Sequence, residues 1–171
     1  MALGAIEILE GEGFEIKDEH IQKGLKSVSW PGRFEVINSS PQVILDVAHN
    51  PAGAMALKKA LSSYNKDRDL VLVLGIMQDK DIKKIIKILA PLAQIVIVTS
   101  PQTPRATKAE LLSNIAKNYC PHIKIIPSVH KAISSALCTA SPKGLVLVTG
   151  SLYTVAEARD CLLYTSPSPR D

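Results

Sequence analysis

The chain has 171 residues, 46% hydrophobic and 21% charged, proportions of an ordinary globular domain that exclude disorder as its organising principle. Twenty Lys and Arg against 16 Asp and Glu leave a net charge of +4, and aromatics make up only 4%, a balance that suits a small anionic partner and argues against nucleic acid. No apolar run approaches the ~18 residues of a bilayer span, no export signal opens the chain, and three cysteines without CxxC spacing (Cys120, Cys138, Cys161) argue against a disulfide scaffold or a zinc site and for the reducing cytoplasm.

Residues 1–28 stand apart from the rest of the chain. ALGAIEILE reads as the last turns of a helix, and KDEHIQKGLKSV as a second helix with Asp18 as its N-cap. Two short helices cannot bury their apolar faces on each other alone, so this segment is expected to be the remnant of a preceding domain and its linker. From Trp30 the pattern is regular. FEVIN and QVILDVA, separated by SSP, read as a β-hairpin. Helical NPAGAMALKKALSSY, strand VLVLGI, helix KDIKKIIKILAPL, strand QIVIVTS and helix TKAELLSNIAKNY come next. The series closes with strand IKIIPS, helix VHKAISSALCTA, strand LVLVTG and helix SLYTVAEAR. Short apolar runs alternating with helical stretches predict βαβ units and a parallel sheet covered on both faces. The expected fold is therefore α/β: a Rossmann-like three-layer sandwich over residues 29–160, mostly parallel, with one antiparallel edge hairpin. Residues 161–171, with two consecutive Ser-Pro pairs, break the pattern and are left unassigned.

Open parallel sheets bind ligands beyond the carboxyl ends of their strands, and two such ends carry chemistry. In DVAHNPAG, Asn50 and Pro51 make a sound helix start on their own. Asp46 and His49 remain, suited to accepting hydroxyl hydrogen bonds and to meeting an anion. In VTGSLY, Gly150 permits a tight turn, and Ser151 is an N-cap; capping alone accounts for it, the alternative being that its hydroxyl or amide also touches substrate. In WPGRF, Arg33 precedes the hairpin by a Pro-Gly turn and returns to the Asp46 end if the hairpin closes, where its planar fork fits phosphate. LGIMQDKD offers Asp79, Lys80 and Asp81, with Asp79 or Asp81 capping the next helix. No Gly-Lys dipeptide occurs, so the GxxxxGK[ST] phosphate loop is absent, and GEG at 11–13 lacks the third glycine of GxGxxG.

WPGRFEVI, ILDVAHNPAGAMAL, LGIMQDKD and VTGSLYTVAEAR, in that order, closely resemble the C-terminal domain of bacterial folylpolyglutamate synthase, often bifunctional as dihydrofolate synthase, in the Mur ligase superfamily. The resemblance covers Trp30 to Arg159 and implies an ATP-dependent ligase. That enzyme adds L-glutamate to folate, or to dihydropteroate, through an acyl phosphate. It implies Arg33 on the nucleotide phosphates, Asp46 on the ribose, and His49 and Ser151 as catalytic residues on the glutamate side, with no metal ligand in this chain. ATP and Mg2+ are the implied cofactors. The P-loop, magnesium ligands and carbamylated lysine of the family belong ahead of Met1, so the chain alone is expected to be inactive. Small-molecule substrates, no nucleic acid, no membrane, a monomer and a cytoplasmic setting complete the expectation. The rival readings are another Mur-type ligase, for peptidoglycan precursors or cyanophycin, and a stand-alone Rossmann-like binding module. Val47, where those ligases often carry tyrosine, and the WPGR and TGSLY motifs speak against the first rival.

Overall fold

The computed structural model describes residues 2–64 and 68–164. The chain divides into two compact units, 1–30 and 31–171. The first contains α1 (Ala2–Gly11) and α2 (Asp18–Ser27). Gly13 ends α1 in the left-handed region at φ 91°, with its amide donating to Glu10 O and the Phe14 amide to Leu9 O. The GEG run is thus a helix stop of the Schellman kind. At α2 the expected cap is displaced by one residue: Lys17 occupies the cap position without a side-chain bond, and Asp18 is the first helical residue. There Asp18, with Glu19, complements the positive end of the helix dipole.

The second unit runs β1 (Glu35–Ser39), β2 (Gln42–Leu45), α3 (Pro51–Tyr64), β3 (Leu70–Leu74), α4 (Ile82–Leu89) and a 3-10 turn at Ala90–Leu92. It continues β4 (Ile95–Val98), α5 (Ala109–Ala116), β5 (Ile123–Ile125), α6 (Val129–Thr139), β6 (Leu145–Thr149) and α7 (Leu152–Tyr164). The six strands form one sheet in the order β1-β2-β6-β3-β4-β5. Every pairing is parallel except β1 with β2. The mixed three-layer α/β architecture expected from the strand and helix pattern is therefore the one observed.

Strand alternation builds two cores. Ile44, Leu147, Leu72 and Val96 share one register row and pack under Leu57 and Leu61 of α3, Ile85, Ile86 and Leu89 of α4, and Leu112 of α5. Val43, Val146 and Val71, one position along, pack under Val129 and Ile133 of α6 and Val155 of α7. Each fully buried aliphatic side chain contributes roughly 1.5–3 kcal/mol of transfer free energy, which is why β3 and β6, buried along their whole length, sit at the centre. Helix α7 extends beyond Arg159 to Tyr164. Leu162 packs on the second core, so the helix runs past the break expected at 161, and the Ser-Pro pairs lie outside the described residues. Among the described residues no helix is long and apolar enough to cross a membrane.

Candidate functional site at the carboxyl ends of β2 and β6

The hairpin closes with Glu35 opposite Leu45, so the turn ahead of β1 returns to the end of β2 that leads into Asp46. Gly32 makes the turn possible. Its φ is 71°, and a Cβ there would stand 3.0 Å from a Val47 methyl and 3.2 Å from a Val155 methyl. Its carbonyl accepts the Val47 amide at 2.8 Å. Phe34 follows at φ 48°, a left-handed conformation that costs a non-glycine residue about 1–3 kcal/mol and persists only when its surroundings hold it. Two contacts hold it here. Its amide donates to Asp46 Oδ2 at 3.0 Å, and its ring stands edge-on to Tyr64 of α3 at 5.3 Å. Between these fixed neighbours, Arg33 is exposed and has no hydrogen bond or ion pair with the described residues.

Asp46 organises the end of β2. Besides Phe34, it accepts the Ala48 amide on Oδ1 at 2.9 Å. Each carboxylate oxygen thus spends one lone-pair site on a backbone amide and keeps another for a hydroxyl donor. His49 Nδ1 lies 2.9 Å from Val47 O. A carbonyl only accepts, so Nδ1 carries the proton and Nε2 is the ring nitrogen left for a ligand. Asn50 Oδ1 accepts the Gly53 amide at 2.7 Å, which caps α3 as its Asn-Pro start implies.

At the neighbouring end of β6, Gly150 (φ 106°) passes so close to β3 that a Cβ would stand 2.6 Å from Gly75 O. Ser151 is 2% exposed, and its hydroxyl accepts the Thr154 amide at 3.0 Å, capping α7. Thr154 Oγ1 donates to Gly75 O at 3.0 Å. Its single proton is therefore committed, and the 2.8 Å contact between the two hydroxyls must be donated by Ser151. Hydrogen-bond accounting leaves Ser151 one lone pair and no proton for a ligand. A contact of 3.4 Å from Thr149 Oγ1 to Ala48 O ties the β6 end to the His49 loop.

The β3–α4 loop is occupied structurally. Asp81 caps α4 by accepting the Lys84 amide at 3.2 Å. Asp79 lies 2.8 Å from Lys80 Nζ and 3.0 Å from Arg105 Nη2, and these two cations pull its carboxyl from the ordinary 3.8 down to about 2. Four residues singled out from the sequence, Arg33, Asp46, His49 and Ser151, thus stand at the carboxyl ends of adjacent strands. Glu35, Phe34 and Thr154, which hold them, were not singled out. Only Thr154 left a signal, the Ser-x-x-Thr spacing of a capped helix start. A cavity of about 470 Å3 lined by Gln42, Arg68, Asp69 and Lys143 lies at the amino ends of β2, β3 and β6, the end that parallel sheets do not use for ligands. Among the described residues no group of three His, Cys, Asp or Glu is placed to hold a metal ion.

The fold agrees with known proteins. The chain belongs to the family described as Mur ligase, glutamate ligase domain, whose profile matches residues 32–152. Within that class it is similar to proteins named as folylpolyglutamate synthases. It is 37% identical to a probable bifunctional folylpolyglutamate synthase/dihydropteroate synthase of Halobacterium salinarum, over 84% of this chain and 18% of that protein. Among solved structures, Escherichia coli FolC in complex with DHPP and ADP matches with a TM-score of 0.82 and 32% identity, over 91% of this chain and 37% of that one. The Yersinia pestis bifunctional folylpolyglutamate synthase/dihydrofolate synthase complexed with AMPPNP and Mn matches at 0.80 and 30%, over 92% and 37%. Among the similar curated relatives, the chain spans between 17% and 38% of their length.

Proposed function

We propose that this chain forms the part of an ATP-dependent acid–amino-acid ligase that closes the nucleotide and glutamate site of a folylpolyglutamate synthase, with dihydrofolate synthase activity as the companion reaction. In that reaction a folate carboxylate takes up the γ-phosphoryl group of ATP, and the amine of L-glutamate then displaces phosphate from the acyl phosphate. One observation carries the reading: an unpartnered arginine, Arg33, held on a fixed turn beside a half-satisfied carboxylate, Asp46, in a chain whose solved relatives include complexes with ADP.

The residues fit a nucleotide. Arg33 offers a free guanidinium to phosphate oxygens, and Asp46 has lone pairs left for two ribose hydroxyls. His49 Nε2 stands as an acceptor on the glutamate side. Ser151, without a proton to give, serves there as an acceptor for an N–H of the incoming amine. Charge that develops on the transferring phosphoryl group is what a positively charged, mobile domain neutralises when it closes. Mg2+ enters this reading with the nucleotide phosphates, which share it with one or two carboxylates and retained waters. The same reading places the protein in the cytoplasm, acting as a monomer on small molecules.

A chimera tests it. This chain replaces the segment it matches in the Escherichia coli enzyme, and ATP-dependent glutamate addition to tetrahydrofolate is measured. Activity in the chimera, reduced roughly 100-fold or more by Arg33→Ala as expected for a group pairing with transferring phosphate, supports the reading. A folded, nucleotide-binding chimera without ligase activity contradicts it.

A further inference from the structure

The turn that presents Arg33 is fastened from three directions. Gly32 O accepts the Val47 amide at 2.8 Å, and the Phe34 amide donates to Asp46. The third fastening comes from the far end of the chain. Gly32 N donates to Glu35 Oε2 at 2.7 Å, and the same carboxylate receives Arg159 Nε of α7 at 3.0 and 3.2 Å. Glu35 and Arg159 are only 18% and 34% exposed, so water screens the pair less than it does an ordinary surface pair. A single carboxylate thus joins the arginine turn to the helix whose first turn is capped by Ser151. The ion pair spans 124 residues and links the two halves of the candidate site.

We propose that the Glu35–Arg159 pair is a positioning brace: it holds the Gly32–Phe34 turn so that the Arg33 side chain meets its anion, and it makes the turn and α7 move as one body. The proposal rests on the reading of Arg33 as a phosphate contact. Glu35 itself touches no ligand, and its effect on binding passes through Arg33. That makes the brace separable from a general stabilising role, because a residue acting through Arg33 loses its influence when Arg33 is absent.

The test is a double-mutant cycle on the full chain, with ADP as the probe and affinity followed by amide chemical shifts, which report weak binding. Glu35→Gln and Arg159→Ala are each expected to weaken ADP binding roughly 5- to 10-fold, with Arg159→Lys recovering part of the loss. In an Arg33→Ala background the same substitutions are expected to change affinity by less than about 2-fold. Equal losses in both backgrounds overturn the brace, since a merely structural role predicts them.

Hydrogen exchange of the Val47 amide, measured alongside, separates the two readings. If Arg33→Ala leaves ADP affinity unchanged, the nucleotide reading fails. Faster exchange at Val47 in Glu35→Gln, with Leu72 unchanged, then still supports the brace. Unchanged exchange at Val47 overturns it whatever ADP does.

Discussion

At the scale of single residues, Asp46 and Ser151 are each built into the fold before any ligand arrives. Asp46→Ala leaves the Phe34 and Ala48 amides without their acceptor, and each unsatisfied group costs about 1–3 kcal/mol if it stays out of water. Chemical denaturation without nucleotide is therefore expected to show a loss of that size, and Asp46→Asn a smaller one because an amide oxygen still accepts. Unchanged stability in Asp46→Ala would mean that the two amide contacts do not hold the turn. Ser151→Ala removes the α7 cap and is expected to cost about 1 kcal/mol. Combined with Thr154→Val the losses should be less than additive, because both belong to one network through Gly75 O. Strict additivity in thermal unfolding would contradict the hydroxyl network joining Ser151 and Thr154.

At the scale of elements, close packing between strand ends makes some positions intolerant. Gly150→Ala forces a left-handed φ of 106° on an L side chain and drives its Cβ to 2.6 Å from Gly75 O, so a stability loss of roughly 2–4 kcal/mol is expected in denaturant titration. The loop pair held by Asp79 is testable through pH. Its carboxyl titrates near 2 in the folded chain and at 3.8 when unpaired. The pairing therefore stabilises above about pH 4, and its contribution is lost as pH falls from there towards 2. Arg105→Ala is expected to be less stable than the parent at pH 6, with the difference shrinking as pH falls from about 4 through 2. A difference that persists at low pH would assign the effect to something other than the Asp79 ion pair.

These elements were largely legible in the sequence. The β-branched run EVIN and QVIL around a Ser-Pro turn mark a hairpin, and Asn50–Pro51 marks the start of α3, because each rests on local backbone preferences. Lys17 displaced Asp18 at the cap of α2 because caps depend on one residue's dihedrals, which composition does not set. Glu35 and Arg159 were invisible as a pair, since nothing local connects residues 124 apart. The tail helix was longer than expected because Leu162 has a core to pack on, a tertiary reward with no local signature.

For the molecule as a whole, the sheet order places β6 between β2 and β3, and this arrangement gathers the site. Helix α3 follows β2 on one face and α7 follows β6 on the other, the kind of topological switch point beyond which open parallel sheets bind ligands. Arg33, Asp46, His49 and Ser151 stand at these strand ends although they span most of the chain. An expected consequence is selectivity for anions over bulk: inorganic phosphate or ADP should raise the thermal midpoint of the chain. Arg33→Ala should abolish that rise while leaving the ligand-free midpoint within about 2 °C, as for a solvent-exposed substitution.

The most direct measurement is a titration of the isotopically labelled chain with ADP, read residue by residue from amide and arginine Nε–H shifts. A nucleotide site at the carboxyl ends of β2 and β6 predicts that the Arg33 side chain and the amides of 46–49 and 150–151 move together with one affinity. Shifts confined to the amino ends of the strands, around Gln42, Arg68 and Lys143, or saturating shifts that survive Arg33→Ala and Asp46→Asn unchanged, would contradict it.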